Sequence, residues 1–104
     1  MAEVKYLDPR ATEDHVGLIP MFLFDQDPRP AKEQFNERYS HGGGWRPNTG
    51  WTMRKEDRSL KYPGDPRLHP LAEMKLRDET ILVYEYGIVA IVQPDGSFEA
   101  SRMD

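Results

Sequence analysis

The stretch His41-Gly42-Gly43-Gly44-Trp45-Arg46-Pro47-Asn48-Thr49-Gly50-Trp51 sets three consecutive glycines ahead of two tryptophans. His-Gly-Gly-Gly matches an oxyanion-hole motif of one lipase and esterase group, in which backbone N–H groups stabilise a developing oxyanion. That chemistry also needs a serine in a Gly-x-Ser-x-Gly elbow, and Ser40, Ser59, Ser97 and Ser101 stand in no such context. The glycines read instead as the end of a helix and a turn of the chain. His15, His41 and His69 are far apart, so no pair has the spacing that puts two metal ligands on one helix face. Asp25 and Asp27 form an Asp-x-Asp that can hold a hard cation, but ahead of Pro28-Arg29-Pro30 turn and capping chemistry explains both. Glu73, Asp78, Glu79 and Glu85 offer carboxylates for general acid–base work. No motif that positions a substrate accompanies them. A small metal- or carboxylate-dependent hydrolase is therefore the third-ranked role, and no catalytic residue, metal site or cofactor is assigned.

The residues from 45 to 67 are more informative. Trp45, Arg46, Trp51, Arg54, Lys55, Arg58, Lys61, Tyr62 and Arg67 fall within this segment. Residues 41–67 carry six Lys/Arg against three Asp/Glu, while the flanking segments are acidic and the whole chain has a net charge of −4. Aromatic rings interleaved with cations suit single-stranded nucleic acid, through stacking and phosphate contacts. The acidic balance of the chain opposes strong phosphate binding. Trp, Tyr and Arg are equally the residue types that dominate protein interfaces. The first-ranked role is thus a non-enzymatic protein-binding module whose contact surface is Trp45, Arg46, Trp51, Arg54, Arg58 and Tyr62. Single-stranded nucleic-acid binding through 45–67 is the alternative.

These residues need a scaffold, and the sequence outlines one. Residues 1–16 predict a short strand or extended arm around Val4, Tyr6 and Leu7, followed by a turn. The dense apolar run Gly17–Phe24 predicts a buried strand, which Pro20 pushes toward a sheet edge or bulge. Ala31, Phe35 and Tyr39 recur at every fourth position and predict the main helix, opened by Pro30 in its first turn and closed by Gly42. Residues 41–51 form the Gly/Trp loop. Trp51–Arg54 and Ser59–Tyr62 alternate apolar and polar and predict a hairpin. Tyr62-Pro63-Gly64-Asp65-Pro66 is a turn, and residues 68–77 fit either a helix or a strand, with a strand favoured over 72–77. Thr80–Tyr86, Ile88–Val92 and Ser97–Ser101 predict three strands, joined at Gly87 and at Gln93-Pro94-Asp95-Gly96. Ile88–Val92 is apolar at every position, which marks a central strand covered on both sides. The expected fold is one α+β domain with a C-terminal antiparallel meander of three strands, further N-terminal or central strands, and one main helix packed on a face.

At 104 residues the chain has the length of one domain and one modest core. It contains no cysteine, which excludes disulfides, zinc thiolates and thiol catalysis. The start Met-Ala-Glu-Val-Lys-Tyr has no signal-peptide apolar run, and no apolar segment reaches membrane-spanning length. A cytoplasmic protein without membrane contact is expected.

The residues LKYPGDPRLHPLAEMKLRDETILVYEYGIVAIVQPDGSFEASRMD (60–104) carry a resemblance. Their proline turn, strand, Gln-Pro-Asp-Gly-Ser, strand and closing Arg-Met-Asp resemble the C-terminal part of small uncharacterised proteins encoded by actinobacterial phages. The resemblance implies a phage accessory protein acting on a host protein in the bacterial cytoplasm. It supplies no site residues.

Overall fold

The computed structural model describes residues 2–39, 46–47 and 50–102. In chain order the strands are β1 (Val4–Tyr6), β2 (Arg46–Pro47), β3 (Thr52–Met53), β4 (Leu60–Lys61), β5 (Ala72–Leu76), β6 (Glu79–Val83), β7 (Ile88–Val92) and β8 (Phe98–Arg102). Two α-helical segments, α1 (Glu13–Val16) and α2 (Ala31–Arg38), precede β2, with a 3-10 helix at Ile19–Phe22 between them. The main sheet runs β1-β5-β6-β7-β8-β2 with antiparallel neighbours throughout, and β3 and β4 form a separate two-stranded ribbon. This is the expected α+β architecture with its C-terminal meander.

Strand periodicity explains the layering. Successive side chains of a strand point to opposite faces, and every side chain of β6 and β7 is buried. Ile81, Val83, Val89 and Ile91 pack on one face against Val16, Ile19, Leu23, Ala31 and Phe35. Leu82, Tyr84, Ala90 and Val92 pack on the other face against Leu60, with Trp51, Met53 and Leu68 at the margin. The helical N-terminal half covers one side and the ribbon covers the other. At roughly 1.5–3 kcal/mol for each fully buried aliphatic side chain, the double coverage is the main stabilising term.

Three local expectations are corrected. Gly17–Phe24 is not a strand. Ile19–Phe22 is 3-10 helical, with Pro20 in its first turn, where a missing N–H is harmless. Val16, Ile19 and Leu23 are buried while Leu18 and Met21 are exposed, a spacing of three and four that belongs to a helix-like turn. The main helix starts at Ala31 as expected but ends at Arg38, so Gly42 does not close it; Gly42 lies outside the described residues. Tyr39 is extended there and sets its ring edge-on against Phe22, with centroids 5.6 Å apart. The strand expected through Tyr86 stops at Val83, and residues 85–87 form a tight turn. Within 68–77 the favoured strand forms, at Ala72–Leu76. Residues 1–16 take the strand alternative: Val4–Tyr6 pairs with β5, and Glu13–Val16 follows as a helical turn.

Asp27 and Gln34 hold the loop that leads into α2. Gln34 is fully buried; its Oε1 accepts from the Phe24 N–H at 2.8 Å and from Arg38 Nη1 at 2.7 Å, and its Nε2 donates to the Arg29 carbonyl at 2.9 Å. Asp27 receives Arg29 and Arg38 at 2.6 and 2.7 Å, and Arg29 also pairs with Glu37.

Candidate functional site

The ribbon is shaped by local turn chemistry. Beyond the pair Met53↔Leu60, the Arg58 N–H donates to the Arg54 carbonyl, and Arg58 takes a left-handed backbone with φ 55°. That conformation is unusual for a residue with a side chain. It turns the Arg58 carbonyl toward Tyr84, whose hydroxyl donates to it at 2.7 Å. Burial pushes the Tyr84 phenol far above its ordinary range, so it stays a hydrogen-bond donor. The Asp57 carboxylate accepts from the Ser59 hydroxyl and N–H, which hold its carboxyl below the usual range. The Tyr84 hydroxyl thus ties the tip of the ribbon to the end of β6, while the Asp57–Ser59 contacts brace the tip from within.

At the other end of the ribbon, Leu60 and Leu68 exchange two backbone hydrogen bonds of 2.8 Å and close a loop over residues 61–67. Within it, the Asp65 N–H donates to the Tyr62 carbonyl at 3.0 Å, with Pro63 and then Gly64 (φ 85°) between them. Proline followed by a positive-φ glycine is the signature of a type II turn. The turn presents Tyr62, which is 44% exposed. The Tyr62 ring meets the half-buried Trp51 ring edge to face, with centroids 5.1 Å apart and planes at 66°. It also rests on the backbone of Gly50, where a Cβ would stand 2.7 Å from Tyr62 Cε2.

Tyr86 completes the site from the β6–β7 turn. It is the most exposed large apolar side chain among the described residues, at 68%, and its backbone is left-handed with φ 64°. Trp51, Tyr62, Pro66 and Tyr86 line a cleft of about 360 Å³, with Asp65 and Arg102 also on its wall. Leu60 and Ile88, both core residues, form its base. Among the described residues the side chains of Asp65 and Arg102 make no hydrogen bond or ion pair, and the Trp51 indole N–H has no acceptor. A preformed aromatic cleft with a few unpaired polar groups is suited to binding a ligand segment.

Of the residues singled out from sequence, Trp51 and Tyr62 come together here. Arg54 is exposed and 3.5 Å from Asp57, and Arg58 sits at the ribbon tip; neither lines the cleft. Arg46 belongs to β2 and pairs with Ala100, its side chain lying outside the described part. Trp45 and the glycines of residues 42–44 lie outside the described residues. Asp65, Pro66, Tyr86 and Arg102 were not singled out. Tyr86-Gly87, a bulky ring beside a turn glycine, carried the one local hint, and placing Tyr86 inside a strand concealed it.

Several of the remaining candidates for chemistry have structural partners. Glu79 is buried; its Oε1 accepts from the Ala31 N–H at the start of α2 (2.9 Å) and its Oε2 from Gln93 Nε2 (3.0 Å). Glu73 lies 3.9 Å from Lys75, and Glu85 lies 3.9 Å from Arg10. His15 Nδ1 accepts from the Thr12 N–H, and His69 lies 3.7 Å from Asp57. His41 lies outside the described residues. Among the described residues no three His, Cys, Asp or Glu side chains are grouped to hold a metal ion, and no helix is long and apolar enough to cross a membrane.

No family model, curated protein or solved structure matches the chain.

Proposed function

We propose that the protein is a non-enzymatic binding module that docks another protein in the Trp51–Tyr62–Tyr86 cleft. One observation carries the reading. Tyr86 is held two-thirds exposed in a left-handed conformation that costs a residue with a Cβ about 1–2 kcal/mol, beside a Trp–Tyr pair that already forms a corner. Strain kept beside an exposed aromatic cluster points to a use for the ring outside the chain. The cations support the alternative, nucleic acid, less well. Arg54 leans on Asp57, Arg67 turns inward to the Ser59 carbonyl at 3.0 Å, and the cleft wall includes the Asp65 carboxylate. The resemblance of residues 60–104 to phage-encoded accessory proteins points to a bacterial host protein as the partner.

The test is reconstituted binding. A partner captured from bacterial lysate is purified and titrated against the wild-type chain and against folded Tyr62→Ala and Tyr86→Ala. Each variant is expected to weaken binding about ten-fold or more, the behaviour of aromatic anchors at an interface. Neutralising Arg54, Lys55, Arg58 and Lys61 together is expected to leave it within about two- to three-fold. Undiminished binding by both tyrosine variants overturns the reading. A steep loss with salt and with the neutralised cations would assign the surface to nucleic acid instead.

A further inference from the structure

Resting on the protein-binding reading, we propose that the occupant of the cleft is a proline-rich segment in the polyproline II conformation, with a basic residue that meets Asp65. Three features of the cleft converge on this class.

The first is shape. An edge-to-face ring pair at 66° is a stepped corner, not a flat plate. Polyproline II has three residues per turn and presents ridges of pyrrolidine rings that wedge between aromatic side chains, whereas a nucleobase stacks on an open, flat ring face. Pro66 and Tyr86 extend the apolar wall beyond the corner.

The second is hydrogen bonding. The Trp51 indole N–H is without an acceptor among the described residues, and so are the hydroxyls of Tyr62 and Tyr86. A polyproline II backbone makes no internal hydrogen bonds and leaves every carbonyl free. Donors on the cleft therefore face acceptors on the segment. Arg102 adds a guanidinium for the same carbonyls.

The third is charge. The Asp65 side chain is unpaired among the described residues and stands on the cleft wall, so a cationic residue in the segment gains a partner there. Because the segment is extended before it binds, little ordering entropy opposes docking.

The experiment titrates synthetic peptides into the isotopically labelled full chain and follows backbone amide shifts. The probes are a proline-rich peptide with a central Pro-x-x-Pro and one arginine, its arginine-to-alanine analogue, a proline-free trimethyllysine peptide, and oligothymidylate. The expected result is saturable binding of the arginine peptide, with shifts confined to residues 50–68, 86–88 and 102. Tyr86→Ala is expected to weaken it about ten-fold. Asp65→Asn is expected to abolish most of the difference in affinity between the arginine peptide and its alanine analogue. No cleft shifts at millimolar proline-rich peptide overturn the inference, as does tighter binding of trimethyllysine peptide or oligothymidylate. If Tyr86→Ala releases the purified partner while the partner's own contact segment contains no proline, this inference falls and the protein-binding reading stands. If Tyr62→Ala and Tyr86→Ala both retain the partner, both fall.

Discussion

Tyr86 offers a direct way to separate folding from binding at one side chain. Its φ of 64° is a conformation glycine adopts freely, and two-thirds of the side chain is in solvent. Tyr86→Gly removes the left-handed strain of a Cβ residue and loses little burial. Part of that gain is offset by the larger entropy of glycine in the unfolded chain. The variant is expected to be more stable than wild type by about 0.5–1 kcal/mol while losing the partner. Urea denaturation checks the first half and the binding titration the second. A Tyr86→Gly protein that is clearly destabilised would mean that the ring supports the fold. Gly50 is the opposite case. There a side chain is excluded both by a φ of 88° and by the Tyr62 ring lying where the Cβ would be.

The segment between the 3-10 helix and α2 is stabilised by polar contacts as well as packing, and that makes it sensitive to acid. Arg29, through its side chain and N–H, holds the Asp27 carboxyl far below the usual carboxylate range, and Arg38 adds to the effect. A carboxyl whose folded pKa is depressed stabilises the fold above its unfolded value, near pH 4, and the contribution is lost as pH falls below it. Wild-type stability is therefore expected to decline below about pH 4, and Asp27→Asn to be less stable at neutral pH with a flatter acid limb. Unfolding curves from pH 2 to pH 7 check this, and parallel acid limbs for the two proteins would contradict it. The strands and tight turns of the meander are readable in sequence because two-residue alternation and Asp-Gly chemistry act over a few neighbouring positions. The 17–24 run misleads because its apolar density suits a strand as well as a helical turn. Only the burial of Ile19 and Leu23, with Leu18 and Met21 in solvent, separates the two.

Across the protein as a whole, the sheet lies between two dissimilar covers: helices and loop from residues 11–39 on one face, and the 50–68 ribbon on the other. β6 and β7 are paired on both edges and buried on both faces, whereas β1 and β2 are short edge strands. Amide exchange is expected to be slowest in β6 and β7, opening only with global unfolding, and faster in β1 and in the ribbon. Equal protection of β3–β4 and β6–β7 would show that the ribbon cover is part of the cooperative core. The α+β class, the meander, the hairpin at 51–62 and the start of the main helix are all legible in the sequence, because each follows from interactions between residues close along the chain. The cleft was legible only in part. Trp51 and Tyr62 stood out through composition and are brought together by the register Thr52↔Lys61. Tyr86 and Arg102 join them through the pairing of Ile88 with Arg102 and the packing of the ribbon on β7 and β8. Those residues are separated by up to about fifty positions, and no local pattern encodes a meeting that depends on strand register and on which face of the sheet the ribbon covers.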